Sequence, residues 1–224
     1  SVSGPGVKGD RIVNDFVSLP DLAATFLEAG KVQVPVVMTS KSLWKTLSSE
    51  KVGFVDPNRT HVFVGRERHV AKAREGNLPY PQRAIRTKDF LFVINFKPDR
   101  FPLGDHYKLD TGKEPTIDQL QNNTFCTLPD EDAGPTKAWL VLNRKAPNVK
   151  RYFEHAYGKR PREELFDLRK DPHQMENVAS DPAYRDVATE LRNKLMMELR
   201  TTGDPRLIDD GAFYETAPMA GPLR

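Results

Sequence analysis

Glu163-Glu164-Leu165-Phe166-Asp167-Leu168-Arg169-Lys170-Asp171-Pro172-His173-Gln174-Met175-Glu176-Asn177-Val178-Ala179 is the most informative stretch of this 224-residue sequence. Leu165, Phe166 and Leu168 predict a short apolar strand. Asp171-Pro172 ends it in a turn, because proline fixes its own φ and pushes the residue before it out of the α region. Asn177 suits the connection that follows, where its amide can bond neighbouring backbone groups. Asp181-Pro182 then reads as a helix start, a capping residue followed by proline at the first helical position. The unit is strand, tight turn and capped helix, and none of its residues carries chemistry.

Working outward, Tyr184, Val187, Leu191, Leu195 and Leu199 form a stripe at helical spacing, which predicts a helix over 181–200 stopped by Gly203-Asp204-Pro205. Residues 206–224, with Gly211, Pro218, Gly221 and Pro222, read as an extended tail. Upstream, strands are expected at 61–64, 83–87 and 90–96, the last two joined by Lys88-Asp89 at hairpin spacing. The run 90–96 is the most hydrophobic and belongs in the middle of the sheet. Residues 97–161 are polar and proline-rich, with helices expected near 116–121 and 149–157 and loops between. At the N-terminal end, Gly4, Pro5, Gly6 and Gly9 make an opening loop. From Ser18 a helix runs to Gly30 with Leu22, Phe26 and Leu27 on its core face. Residues 31–58 form a connection with a short amphipathic piece around Leu43, Trp44 and Leu47.

The expected fold is α+β: a small, mainly antiparallel sheet of about four strands packed by the C-terminal helix. Residues 1–205 form the folded region, with the opening loop and helix over 1–58 and the sheet and C-terminal helix over 59–205. Residues 206–224 form the tail.

Composition narrows the function. Apolar residues make up 38% of the chain and mean hydropathy is −0.59, which fits a polar chain with a modest core. Thirty-four basic against 31 acidic residues leave a net charge of +3, too small an excess to imply nucleic acid, which needs a clustered basic footprint. No apolar run approaches a membrane span. The single Cys126 excludes an internal disulfide framework and a cysteine-rich zinc site. His61, His69, His106, His155 and His173 show no metal-ligand spacing. No glycine-rich phosphate loop and no nucleophile elbow is present.

The 163–179 string resembles the closing motif of the type I sulfatases, a Glu-Leu-Tyr-Asp-Leu run followed by Asp-Pro and Asn-x-Ala. Val17-Ser18-Leu19-Pro20-Asp21-Leu22-Ala23-Ala24-Thr25-Phe26-Leu27 is similar to a helix of the same family, with Lys41-Ser42-Leu43 following at the usual distance. Pro5-Gly6 with Gly9 matches the loop that enters this region. Tyr80-Pro81-Gln82-Arg83-Ala84-Ile85-Arg86-Thr87 with Asn95-Phe96 is closest to the heparan N-sulfatase (sulfamidase) branch. Together these stretches resemble the C-terminal part of a sulfatase.

That resemblance implies a hydrolase of sulfate esters or N-sulfamates on sulfated carbohydrate, with this region supplying a pocket wall and a packing surface. Its partner would be the sulfatase catalytic domain, expected upstream together with the formylglycine nucleophile and the calcium site. Within this chain no catalytic residue and no metal ligand is expected. Cys126, followed by Thr127-Leu128-Pro129, lacks the proline and arginine that mark the formylglycine position. The compartment would be periplasmic or secreted if the parent carried a signal peptide. An in-frame Cys/Ser-x-Pro-x-Arg motif upstream would separate this reading from a non-catalytic glycan-binding or purely structural module.

Candidate substrate contacts are Arg66, Arg68 and His69, which follow a strand in Gly65-Arg66-Glu67-Arg68-His69. Guanidiniums present a planar fork to oxyanions and suit sulfate or carboxylate. The competing reading is a solvated strand end with internal Arg–Glu pairing. Arg83 either faces the same cleft or is ordinary strand-surface charge. Because a calcium site needs several converging oxygen ligands, calorimetric titration should give no stoichiometric micromolar calcium binding. Such a site would contradict this reading.

Overall fold

The computed structural model describes residues 1–216. Seven helices and four strands are the main elements among them: α1 Asp21–Ala29, α2 Trp44–Ser48, β1 His61–Arg66, β2 Gln82–Thr87, β3 Phe90–Asn95, α3 Ile117–Asn122, α4 Pro135–Leu142, α5 Lys150–Tyr157, β4 Glu163–Asp167, α6 Arg185–Thr201 and α7 Ala212–Glu215. The strands form one sheet in the order β1-β2-β3-β4. β3 and β4 are antiparallel, with Phe90 opposite Asp167, Phe92 opposite Leu165 and Ile94 opposite Glu163. The fold is therefore α+β, with the most hydrophobic strand inside the sheet. Phe92, Val93, Ile94, Leu165 and Phe166 are buried.

The chain divides into two compact units, residues 1–63 with 85–88, and residues 64–84 with those from Asp89 on. The boundary falls inside β1 and β2.

In the first unit α1 forms where its sequence predicts, ending at Gly30, but it turns a different face inward. Asp21, Ala24 and Thr25 are buried, while Phe26 is 70% exposed. A polar anchor sets the rotation. Asp21 Oδ2 receives Arg59 Nη1 at 2.7 Å, and its Oδ1 receives the Lys41 N–H at 2.9 Å. Thr25 Oγ1 accepts the Leu43 N–H at 2.8 Å. Burial would raise the Asp21 pKa, but the Lys41 N–H and the Arg59 guanidinium outweigh it and hold the carboxyl below its usual range.

In the second unit α6 lies against β3. Asp181 Oδ1 accepts the Ala183 N–H at 2.8 Å and caps a short turn, Pro182–Tyr184, that leads into the helix. Ala188, Leu191, Leu195 and Leu199 are its buried stripe, and each large apolar side chain contributes at most about 3 kcal/mol. Arg192 covers the Phe92 ring at 5.7 Å and donates from Nε to Glu163 Oε1 at 2.7 Å. A second cluster joins Leu109, Leu120, Cys126, Leu128, Ala138, Val141, Phe153 and Tyr157. α3 opens with a capping box between Thr116 and Gln119. α4 lies where loops were expected, and Pro135 at its first turn was its sequence signal.

The expectation of an extended tail from residue 206 is corrected up to Glu215. Turns at Pro205–Leu207 and Asp209–Gly211 lead into α7, and Arg206 is only 2% exposed. Gly211 makes this path accessible: its φ is +75°, and a Cβ there would come within 2.4 Å of the Arg206 guanidinium. Residues 217–224 of that tail lie outside the described residues.

Leu195 is fully buried and Met197 is 66% exposed. Urea unfolding should therefore show Leu195→Ala losing about 2–5 kcal/mol and Met197→Ala changing stability by less than about 0.5 kcal/mol.

Candidate functional site

Arg66 closes β1, and the segment after it wraps around one buried carboxylate. Asp130 Oδ2 receives Arg66 Nη2 at 2.6 Å and Arg74 Nη2 at 3.0 Å. Its Oδ1 faces His69 Nδ1 at 3.0 Å. The Asp130 side chain is 0% exposed and that of His69 is 70% exposed. Arg66 and Arg74 also share the Pro102 carbonyl, each at 2.6 Å. Both guanidiniums lie over the Tyr80 ring, at 5.8 and 5.4 Å from its centroid. Burial, aided by Glu164, pushes the Tyr80 hydroxyl up to about 12, so it stays neutral at physiological pH.

A carboxylate that already accepts from two guanidiniums can only accept from His69 as well. Nδ1 therefore carries a proton, and the exposed edge of the ring presents Nε2. In the neutral ring Nε2 is an acceptor, and in the imidazolium it is a donor that can reach an oxyanion. Arg68 gives Nε to the Asn77 carbonyl at 2.9 Å and Nη2 to the Tyr214 carbonyl at 3.3 Å. Its Nη1 has no protein partner among the described residues. Arg68 Nη1 and His69 Nε2 are thus polar groups of this segment with capacity for a ligand, whereas the Nε of Arg66 is buried without a partner among the described residues. Arg66 contributes mainly by holding the segment down.

Arg83 is placed differently from its expected role. It is 6% exposed, and all five of its N–H groups are occupied. Nε and Nη2 grip Asp204 at 2.6 and 2.9 Å, Nη2 also reaches Glu67 at 2.9 Å, and Nη1 serves the Arg66 and Gln82 carbonyls at 3.1 and 2.8 Å. It anchors the C-terminal segment to β2 and has no donor left for a sugar. Glu67 also pairs with Arg206, which in turn holds Glu215 at 2.8 Å.

Asp130 escaped the sequence reading. Leu128-Pro129-Asp130 sits in the polar 97–161 stretch, and no spacing rule links it to residues 66–74. Among the described residues no group of three or more His, Cys, Asp or Glu side chains is assembled to hold a metal ion. No described helix is long and apolar enough to cross a membrane.

The chain is 28% identical to the N-sulphoglucosamine sulphohydrolase of Homo sapiens over 226 residues, covering 95% of this chain and 38% of that protein. It is 29% identical over 123 residues to an ulvan-active sulfatase of Formosa agariphila, covering 54% of this chain and 17% of that one. A solved 2-O GAG sulfatase superposes on 92% of this chain and 30% of its own, with a TM-score of 0.52 and 19% identity, which shows the shared fold. No protein-family model matches. The chain is therefore similar to sulfatases, and what it matches is the C-terminal part of the human relative. It spans well under two thirds of the length of these relatives.

The Arg83–Asp204 pair carries a pH signature. Burial opposes the charge of Asp204, and Arg83 with the Arg206 N–H overcomes it, leaving the Asp204 pKa below 3.8. A lowered folded-state pKa gives stability that is full above 3.8 and is lost as pH falls below it. Asp204→Ala should cost about 3–5 kcal/mol at neutral pH by stranding Arg83. The gap to wild type in chemical denaturation should narrow as pH drops below 3.8.

Proposed function

We propose that this chain is the C-terminal portion of a sulfatase acting on sulfated glycans, and that it supplies one wall of the substrate pocket and a packing surface for the catalytic domain. The observation that carries this is His69, held through Nδ1 by a fully buried Asp130 and mostly exposed, next in sequence to Arg68, whose Nη1 has no protein partner among the described residues. A buried carboxylate that fixes an exposed imidazole is costly to build for a solvated strand end and useful for orienting a ligand. The relative named for N-sulphoglucosamine supports a sugar sulfate or sulfamate as that ligand. The packing surface is supported within the first unit, where Ile12, Leu19, Phe26, Val36, Val37 and Val52 are 68–97% exposed.

The chemistry assigned to the chain is positioning. Arg68 and His69 would hold a sulfated group equally in ground and transition states, which accelerates nothing without an attacking group. The family's Cys/Ser-x-Pro-x-Arg string does not occur in this sequence. Titration with N-sulphoglucosamine should show weak binding that drops about five- to ten-fold in Arg68→Ala, with no sulfate released above background. Unchanged affinity in Arg68→Ala would remove the pocket-wall role, and sulfate release abolished by His69→Ala would overturn the non-catalytic assignment.

A further inference from the structure

We propose that Lys137 is a positioning residue for the candidate site: its buried ammonium sets the turn that carries Asp130, and through Asp130 it sets the ring of His69. The effect on affinity rests on the reading of His69 as a ligand contact. The effect on the ring does not.

Lys137 is the third residue of α4 and is only 1% exposed. A lysine stem normally carries its charge out to water. Here Nζ instead donates to the Thr124 carbonyl at 3.2 Å, the Leu128 carbonyl at 3.0 Å and the Glu131 carbonyl at 2.8 Å. An ammonium has three donors, so each finds an acceptor, and all three acceptors are main-chain oxygens of one loop. Without the ammonium these carbonyls would converge on a point with no donor, which a buried backbone does not tolerate cheaply.

Two of the three carbonyls flank Asp130. The Glu131 N–H reaches the Leu128 carbonyl at 3.2 Å and closes a turn over 128–131. Leu128, buried at the start of this turn, has φ of +48°, the left-handed region that L-residues avoid. Such a conformation persists when its surroundings fix it, and the Lys137 ammonium bonds both ends of the turn.

The main chain supplies a competing anchor. Leu128 N–H donates to the Asp105 carbonyl and Asp130 N–H to the Leu103 carbonyl, each at 3.1 Å. Between them, Gly104 approaches so closely that a Cβ there would come within 2.6 Å of Pro129 Cδ. These rungs hold the N–H side of the loop, and Lys137 holds its carbonyl side.

Loss of the carbonyl side falls first on His69. Asp130 Oδ2 is gripped by the guanidiniums of Arg66 and Arg74, whereas Oδ1 faces the largely exposed imidazole at 3.0 Å. A small rotation of the carboxylate keeps the charge-assisted bonds to arginine and gives up the one to Nδ1.

The test compares the full chain with Lys137→Met, which keeps the stem and removes the donors, and Lys137→Gln, which keeps an amide donor. Nitrogen shifts of the neutral His69 ring give the ratio of Nδ1-protonated to Nε2-protonated forms, and titration with N-sulphoglucosamine gives affinity. Leu195 methyl signals, from the packing of α6, report folding independently. The Lys137→Met ratio should fall about three-fold or more, with affinity falling about three-fold, Lys137→Gln lying between and Leu195 unchanged. If Lys137→Met does not fold, the ratio in Lys137→Gln decides. A folded variant with the wild-type ratio overturns the role of Lys137 and spares that of Asp130. A wild-type ring with no tautomer preference overturns both. A ratio that falls while affinity is unchanged or absent keeps Lys137 as the group that sets the ring and removes His69 as a ligand contact.

Discussion

One carboxylate fixes the geometry on which the candidate site depends. Asp130 is withdrawn from water and receives Arg66, Arg74 and His69. Burying a carboxylate costs several kcal/mol unless its oxygens are hydrogen-bonded and its charge is met. Here the two guanidiniums meet the charge on Oδ2, and the imidazole satisfies Oδ1. The Pro102 carbonyl then takes a further donor from each arginine. Residues 66–74 cannot leave this arrangement without stranding Asp130. Of its three partners, His69 is the one whose side chain is mainly in solvent.

The run Arg66-Glu67-Arg68-His69 serves two networks: Arg66 and His69 meet Asp130, and Glu67 does not. Glu67 turns away from Asp130 to meet Arg83 and Arg206. From there the charges alternate through Asp204 on Arg83, and through Glu215, which Arg100 also holds at 2.8 Å. This second network fastens the segment after α6 to the strands. The cost of desolvating so many charges is offset because nearly every donor has an acceptor, as the five occupied N–H groups of Arg83 illustrate.

The strands, α6 and the inner place of β3 were legible because each rests on local signals: the apolar run 90–96, the two-residue link Lys88-Asp89 and the four-residue repeat of leucines. The resemblance to sulfatases was legible too, since 163–179 and 17–27 carry it in contiguous strings. What failed was long-range. The inward face of α1 is decided by Asp21 meeting Arg59, 38 residues away, so Phe26 faces water despite its hydrophobicity. Arg83 reads as a surface or ligand arginine until Asp204, 121 residues on, is brought to it. The segment after Pro205 reads as a tail because its glycines and prolines hide the burial of Arg206. Asp130, the centre of the site, has no sequence signal at all, because a lone acid in a polar stretch is the commonest thing in a loop.

The most direct measurement is a long-range proton–nitrogen correlation spectrum of the His69 ring at alkaline pH, where imidazoles are neutral. With Asp130 accepting from Nδ1, the expected result is a single tautomer with Nδ1 protonated and Nε2 showing the shift of a bare ring nitrogen, averaged between tautomers once Asp130 is changed to alanine. A wild-type ring that averages both tautomers, or carries its proton on Nε2, would contradict the claim that the buried carboxylate orients His69 for a ligand.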